Sequence, residues 1–229
     1  PLPSERLTLA WSMDESAWSG TVGEVLDSSG NGLHGRAYNG VTTGDASPAL
    51  PAVAGQGTCR YGSFSSISRQ YLQSADNSRL DLTGSFTIGV WVRPKSRASQ
   101  LMSILSKDTN YEFHIKPDGT INWWWQTTSG NTREFDSTRT VPLNAWTHVV
   151  IRYTANNQQI FINGVLDRTA SLTGTPLTNT NPLQVGQDQN YDGRYFNGDL
   201  DEVRIYSEAL SNAQIRALYE ERHPCLASS

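Results

Sequence analysis

A tryptophan between two amides is the first candidate for ligand chemistry in this chain. Residues 121–127 alternate in character, and successive side chains of a β-strand point to opposite faces. One face is apolar and holds Ile121, Trp123 and Trp125. The opposite face carries Trp124 between Asn122 and Gln126. An exposed indole packs against the C–H face of a sugar ring while neighbouring amides bind its hydroxyls. We therefore predict glycan contacts at Trp124, Asn122 and Gln126.

The same alternation places more polar and aromatic side chains on the outward positions of other predicted strands. These positions are Trp91, Arg93, Glu112, His114, His148 and Arg152. A single sheet face that gathered them would form a groove with aromatic platforms, and we add Trp91, Arg93, His114 and Arg152 to the predicted glycan contacts. One alternative is that loops cover the tryptophans. Another is that ligand binds at the rim, where the loop 188–195 offers Tyr191, Arg194 and Tyr195.

Acid–base catalysis is the competing use of these side chains. Glu112 and His114 form an outward pair, but a glycosidase needs a second carboxyl about 5–10 Å away, and the sequence indicates none. Gly-x-Ser-x-Gly, His-Glu-x-x-His and phosphate-binding motifs are all missing from the sequence. We expect a non-enzymatic module, with a glycan hydrolase as the less favoured alternative.

A turn near the amino end has the residue types of a calcium site. Asp27 and Asn31, separated by Ser and Gly, offer hard oxygen ligands, and calcium takes six to eight of these. The alternative is that both side chains only satisfy the backbone of the turn. A second acidic group in the loop 188–199 could also hold an ion, although a solvated loop is the simpler interpretation.

The elements that must position these residues are mostly short strands. Runs of five to eight residues separated by regular turns, such as Asn163-Gly164, predict an antiparallel sandwich or barrel. Near the carboxyl end, Leu200, Val203 and Ile205 alternate with one irregular step. Ser211 then predicts a helix start, with Gln214 completing a capping box.

Composition restricts the class of partner. The net charge of −4 over 229 residues argues against nucleic acid or an anionic membrane as the main partner. No run of eighteen apolar residues occurs, so we expect no membrane insertion. Seven tryptophans and a charged fraction of 17% are typical of an all-β domain.

Three segments together resemble the laminin G-like family of the concanavalin A-like lectin/glucanase superfamily. They are the strand 86–94, the motif 143–150 with the hairpin 160–164, and the ending 198–206 followed by Ala-Leu-Ser. The resemblance covers nearly the whole chain. It implies an all-β fold, namely a two-sheet antiparallel jelly roll with one short carboxyl-terminal helix. It says less about function, because lectins, adhesive modules, hydrolases and spacers share this scaffold.

The resemblance also implies particular site residues. Calcium in this superfamily often ties the early turn to the closing strand, which adds Asp201 to Asp27 and Asn31 as ligands of a structural ion. Because the chain ends meet in this fold, Cys59 and Cys225 are expected to form a disulfide, with two reduced thiols as the alternative. The family's glucanases carry a Glu-x-Asp-x-x-Glu strand, which this sequence does not contain.

These expectations combine into a recognition or adhesion module. We predict that residues 1–229 form one laminin G-like domain, excised from a larger exported protein that works in the periplasm, at a bacterial cell surface or outside the cell. Its partners would be a glycan or a surface protein, and other domains of the parent chain. A weaker resemblance to the laminin G-like segment of mannose-sensitive haemagglutinin pilus biogenesis proteins rests on residues 11–15, 59–62 and Cys225. It implies a structural role in a pilus as the alternative.

Overall fold

Two antiparallel sheets dominate the computed structural model, which describes residue 2, residues 5–44 and residues 57–225. The strands are β1 (Leu7–Trp11), β2 (Arg36–Tyr38), β3 (Thr42–Gly44), β4 (Tyr61–Phe64), β5 (Tyr71–Ser74), β6 (Phe86–Pro94), β7 (Met102–Ser106), β8 (Glu112–Ile115), β9 (Thr120–Gln126), β10 (Thr132–Thr140), β11 (Thr147–Tyr153), β12 (Gln158–Ile162), β13 (Val165–Ala170), β14 (Leu183–Val185) and β15 (Gly198–Tyr206). A 3₁₀ turn spans Ser78–Leu80, and α1 spans Asn212–Glu220. The predicted fold class, an all-β sandwich with one short carboxyl-terminal helix, is confirmed.

The two sheets draw their strands from distant parts of the chain. The first sheet has eight strands in the order β13-β12-β11-β6-β15-β4-β3, and β1 pairs with β15. The second sheet has seven strands in the order β10-β9-β8-β7-β14-β5-β2. Strands that follow one another in sequence therefore often lie in different sheets, as β14 and β15 do.

The core lies between the sheets and follows the alternation of apolar residues. Ile88 and Val149 of the first sheet, and Trp123 and Trp125 of the second, are at most 1% exposed and belong to one apolar cluster. The predicted inward face of residues 121–127 is thereby confirmed. Trp124, on the other side of the strand, is half-buried.

The helix α1 covers the outer face of the first sheet. The Ser211 hydroxyl accepts a hydrogen bond from the backbone N–H of Gln214, and Gln214 Oε1 accepts one from the backbone N–H of Ser211, so the predicted capping box is confirmed. Ile215 and Leu218 of α1 pack with Val150 of β11 in a second apolar cluster. Where α1 packs on it, the first sheet is therefore buried on both faces.

The predicted irregular step in β15 is a β-bulge. The pairing of β15 with β6 shifts between Asp201 and Arg204, and Glu202 has a φ of 54°. The bulge lets two consecutive carboxylates, Asp201 and Glu202, both be buried on this strand.

The predicted disulfide between Cys59 and Cys225 is confirmed, with the two Cα atoms 4.7 Å apart. It joins the segment before β4 to the tail that follows α1. None of the helices in the described ranges has the length and apolar character that a bilayer crossing requires.

Candidate functional site

The predicted outward residues divide between two opposite faces of the sandwich. Trp91 and Arg93 lie on β6 and Arg152 on β11, all in the first sheet. His114 and Trp124 lie on β8 and β9 of the second sheet. The predicted single groove is therefore wrong. Alternation places a side chain relative to its own strand, but it does not say which sheet that strand joins.

The first of these faces is closed by α1. Trp91 is 3% exposed and stacks on Tyr219 of α1 with ring centroids 5.5 Å apart. His148 lies against the same indole, and burial together with Arg204 and Arg222 lowers its pKa to about 3. Trp91 has no open ring face for a sugar, which corrects its predicted role as a platform.

Both predicted arginines of this sheet make structural contacts. Arg93 forms an ion pair with the buried Asp199 at 2.7 Å and lies over the Trp146 ring. Arg152 donates to Gln159 (3.0 Å) and to the backbone carbonyl of Leu210 (2.8 Å), just before α1 begins. These contacts hold α1 and the neighbouring strands in place.

The outer face of the second sheet carries a polar row that crosses all seven strands. Directly paired positions on this row are Glu134, Trp124, Glu112, Ser106, Gln184, Gln73 and Arg36. A parallel row contains Asp136, Asn122, His114 and Ser103. Strands about 4.8 Å apart place the first and last positions of the long row about 29 Å from each other.

A loop after β14, residues 187–197, folds over the middle of this face. The backbone N–H of Ser103 donates to the Arg194 carbonyl (2.8 Å), and the Ser103 hydroxyl donates to the Gln187 carbonyl (3.1 Å). The Ser106 hydroxyl donates to the Gln189 side chain (2.8 Å). These bonds bring Asp188 onto the sheet.

Four charged side chains meet beneath this loop. The His114 Nε2 atom lies 3.3 Å from Glu112 Oε2 and 3.5 Å from Asp188 Oδ2. Arg194 Nη1 lies 2.9 Å from the same Asp188 oxygen. His114 is 0% exposed, which corrects its predicted role as a direct sugar contact.

Burial and pairing shift the ionisation of this cluster. Burial raises the pKa of Glu112 to about 8, and the nearby Asp108 adds to the rise. Burial alone would lower the pKa of His114, but the adjacent Asp188 and Glu112 carboxylates raise it. The pKa of Asp188 is lowered because His114 and Arg194 outweigh its burial.

Other predicted contact residues surround the cluster. Asn122 is 4% exposed, donates to Glu134 (3.2 Å) and Asp136 (2.9 Å), and turns its amide oxygen toward His114, which corrects its predicted role as a direct sugar contact. Trp124 and Gln126 on the same strand are half-buried. From the loop, Tyr191 is 47% exposed, and Arg194 lies 3.8 Å from its ring centroid. The structure thus brings five of the predicted contact residues to one face: Asn122, Trp124, Gln126, Tyr191 and Arg194.

A second aromatic group lies at the other end of this face, and of its members only Tyr195 was predicted from sequence as a binding residue. Tyr38 and Tyr71 stack with centroids 4.8 Å apart and nearly parallel rings, and Tyr195 lies 6.4 Å from Tyr71. Arg36 lies over the Tyr38 ring. Strand β2 has only three residues inside a turn-rich stretch, so no sequence pattern indicated that Tyr38 would pair with Tyr71.

The residues predicted to bind calcium are held by protein hydrogen bonds. Asp27 Oδ1 accepts from the backbone N–H groups of Ala10 (2.8 Å) and Ser29 (2.9 Å). Its Oδ2 accepts from the Ser29 hydroxyl (2.8 Å) and the Leu33 N–H (3.0 Å). Asn31 donates to two backbone carbonyls of β1. These donors match the alternative in which the side chains organise the turn.

Asp201 belongs to a different group of charges. It is 0% exposed and accepts a hydrogen bond from the Thr58 hydroxyl and one from the Glu202 N–H. Asp27, the other predicted carboxylate ligand, already accepts four protein hydrogen bonds. An ion bound to Asp27 would have to displace these hydrogen bonds. The calcium site at Asp27, Asn31 and Asp201 stays a prediction.

A further charged cluster lies beside the disulfide. His223 contacts Asp14 (2.9 Å), Glu221 (2.9 Å) and Glu202 (3.3 Å). Hydrogen bonds with Asp14 and Glu221 raise the pKa of His223 to about 10. Burial raises the pKa of Glu202 to about 8. This cluster fastens the tail after α1 to the start of the chain.

This chain is similar in sequence to one known protein and in fold to several solved structures. A zebrafish (Danio rerio) protein, adhesion G-protein coupled receptor V1, is 25% identical over 177 residues, which is 71% of this chain and 3% of the receptor. The binding domain of Paraclostridial Mosquitocidal Protein 1 superposes with a TM-score of 0.72 at 18% identity, covering 94% of this chain and 52% of that one. The chain thus spans only a small part of the receptor and about half of the toxin domain.

A third similarity involves a domain of matching length. Domain 4 of AbnA, a GH43 extracellular arabinanase from Geobacillus stearothermophilus solved with arabinotriose, superposes with a TM-score of 0.69 at 20% identity. It covers 93% of this chain and 98% of that domain. A laminin G-like family model of the concanavalin A-like lectin/glucanases superfamily matches residues 66–216. Since this match spans well over half of the sequence, the chain belongs to the laminin G-like family of that superfamily.

Proposed function

We propose that this chain is a non-catalytic glycan-binding module whose ligand contacts the outer face of the second sheet. The main observation is that Trp124 is half-buried on the same face as the half-buried Gln126 and the loop residues Tyr191 and Arg194. Aromatic rings next to amides, carboxylates and a guanidinium suit a ligand with both C–H faces and hydroxyls. On the other outer face, α1 covers the aromatic side chains around Trp91.

The comparisons support this class of ligand. The AbnA domain was solved with arabinotriose, and the mosquitocidal protein region is itself a binding domain. About 19 Å, or four strand spacings, separate the strand of Trp124 from that of Tyr71. We therefore favour an oligosaccharide over a single sugar ring.

Burial of the acidic side chains argues against hydrolysis. Glycosidases place two carboxyl groups on either side of the bond to be cleaved. Glu112 is 1% exposed and Asp188 is 0% exposed, and both turn toward His114 instead of open solvent. A substrate could not reach between them without removal of the loop 187–197.

Binding to an oligosaccharide array that includes arabinotriose, followed by calorimetry, tests the proposal. Trp124→Ala and Tyr191→Ala should each weaken binding about tenfold or more, equivalent to about 1.4 kcal/mol. Val165→Ala is the matched control, since Val165 is 53% exposed at the edge of the first sheet. Equal binding by Trp124→Ala and the control would refute the site.

Other outcomes would favour the other classes. A protein complex formed without any glycan binding would indicate an interaction module, as the resemblance to pilus biogenesis proteins predicts. Release of reducing sugar that Glu112→Gln abolishes would indicate a hydrolase. We further propose, from the disulfide and the binding domains it resembles, that the module works outside the cytoplasm, as part of a larger exported protein at a bacterial cell surface.

A further inference from the structure

We propose that Glu112, His114 and Asp188 form a binding site for a divalent transition-metal ion of the zinc type. The site lies under the loop 187–197 and does not depend on glycan binding. One ligand atom from each residue lies within 4.8 Å of the others. A nitrogen and two carboxylate oxygens are a donor set that zinc accepts in tetrahedral sites.

The distances fit a shared ion. His114 Nε2 lies 3.3 Å from Glu112 Oε2 and 3.5 Å from Asp188 Oδ2. Tetrahedral zinc with bonds of about 2.0–2.2 Å has neighbouring ligands about 3.3–3.6 Å apart. A water molecule would complete the coordination.

Two buried atoms of the ligand residues make no hydrogen bond in the described structure. His114 Nε2 lies between the Glu112 and Asp188 carboxylates without a hydrogen bond to either, and Glu112 Oε1 also has none, although these residues are 0% and 1% exposed. Buried polar atoms are nearly always paired, so each unpaired one needs an explanation. An ion held by Glu112 and His114 would satisfy both residues.

The far side of the imidazole is already oriented for metal binding. Asn122 uses its Nδ2 atom to donate to the Glu134 and Asp136 carboxylates, so its amide oxygen faces His114 Nδ1 at 3.2 Å. His114 Nδ1 must then carry the hydrogen, and Nε2 faces the two carboxylates. Metal-binding histidines commonly donate their other ring N–H in this way.

The local charge also favours a cation. Three carboxylates adjoin one another here, those of Glu112, Asp188 and Asp108. Arg194 lies 2.9 Å from Asp188, so Asp188 could keep this ion pair while it binds the metal ion. An ion at this point would link β8 to the loop that presents Tyr191, so it would order part of the proposed glycan surface.

Calorimetric titration of the chelator-treated full chain with zinc chloride tests the site. We expect one zinc per chain, binding at least tenfold weaker for Glu112→Gln and for Asp188→Asn. Two controls should keep wild-type zinc affinity. His223→Gln alters the separate cluster of Asp14, Glu202 and His223, and Val165→Ala alters an exposed side chain at the edge of the first sheet.

Cobalt provides a second measurement that does not depend on variant folding. Co²⁺ added to the wild-type chain should give the intense visible absorption of a tetrahedral site, and zinc should abolish it. Absence of zinc binding, or binding lost in His223→Gln and kept in Glu112→Gln, would overturn the proposal. Zinc binding with no glycan binding would leave this site standing and refute the glycan proposal alone.

Discussion

Removal of the disulfide should destabilise the fold by an amount set mainly by the unfolded chain. Cys59 and Cys225 are separated by 166 positions. In the chain-entropy model a closed loop of this length contributes about 5 kcal/mol at 25 °C. A cross-link of this size is comparable to the whole stability of many domains.

Contacts around the bond indicate that the native state would persist in its absence. The His223 N–H donates to the Gly57 carbonyl at 3.0 Å, and the His223 ring contacts Asp14. These bonds keep the tail near its place after reduction. The loss should therefore appear as a larger entropy of the unfolded state.

Denaturant unfolding followed by tryptophan fluorescence measures this effect. The double variant with Cys59→Ser and Cys225→Ser should unfold about 3–5 kcal/mol more easily than the oxidised chain, with a larger dependence on denaturant because its unfolded state expands more. Reductant should shift the wild type to the same curve and leave the double variant unchanged. A difference below about 1 kcal/mol would refute the reasoning from loop length.

Two further predictions concern pH and the tryptophan strand. The raised pKa values of His223 (about 10) and Glu202 (about 8) mean that the folded chain holds both protons more tightly than the unfolded chain does. The stabilisation from His223 is complete below pH 6.5 and is lost as the pH rises through about 10, and that from Glu202 is complete below pH 4.5 and is lost as the pH rises through about 8. The free energy of unfolding should therefore fall from pH 6.5 to 10, and it should fall less in His223→Gln. Trp123→Ala should cost about 3–5 kcal/mol because that side chain is 0% exposed, whereas Trp124→Ala should cost far less. Equal melting temperatures for the two tryptophan variants would contradict the assignment of faces.

Local patterns in the sequence predicted the elements well. The apolar alternation around Trp123 identified its inward face, and Ser211 with Gln214 marked the start of α1. The irregular step at Asp201 corresponds to the bulge in β15. Each of these features is decided by residues within a few positions of one another, and sequence patterns carry that kind of information.

Long-range pairing explains what the sequence did not show. Strand β10 was not predicted, because only Phe135 and Ser137 of its nine residues are buried. The membership of Trp91 and Trp124 in opposite sheets depends on partners far away in the chain. His114 meets Asp188 only because the loop 187–197 folds back over β8, a contact between residues 74 positions apart.

The position of α1 decides which surface is left for a ligand. By stacking Tyr219 on Trp91 it turns the part of the first sheet's outer face around Trp91 into a second core, and the aromatic groups there serve stability. The second sheet has no such helix among the described residues, and its outer face is covered in the middle by the loop 187–197 instead. This loop is held to the sheet by the contact of Asp188 with His114, and it carries Tyr191 on the same face as Trp124. Substitutions in the loop can therefore change the binding surface without disturbing the sandwich. Recognition in this molecule should therefore respond to substitutions in the loop and in β9, while substitutions under α1 should alter stability.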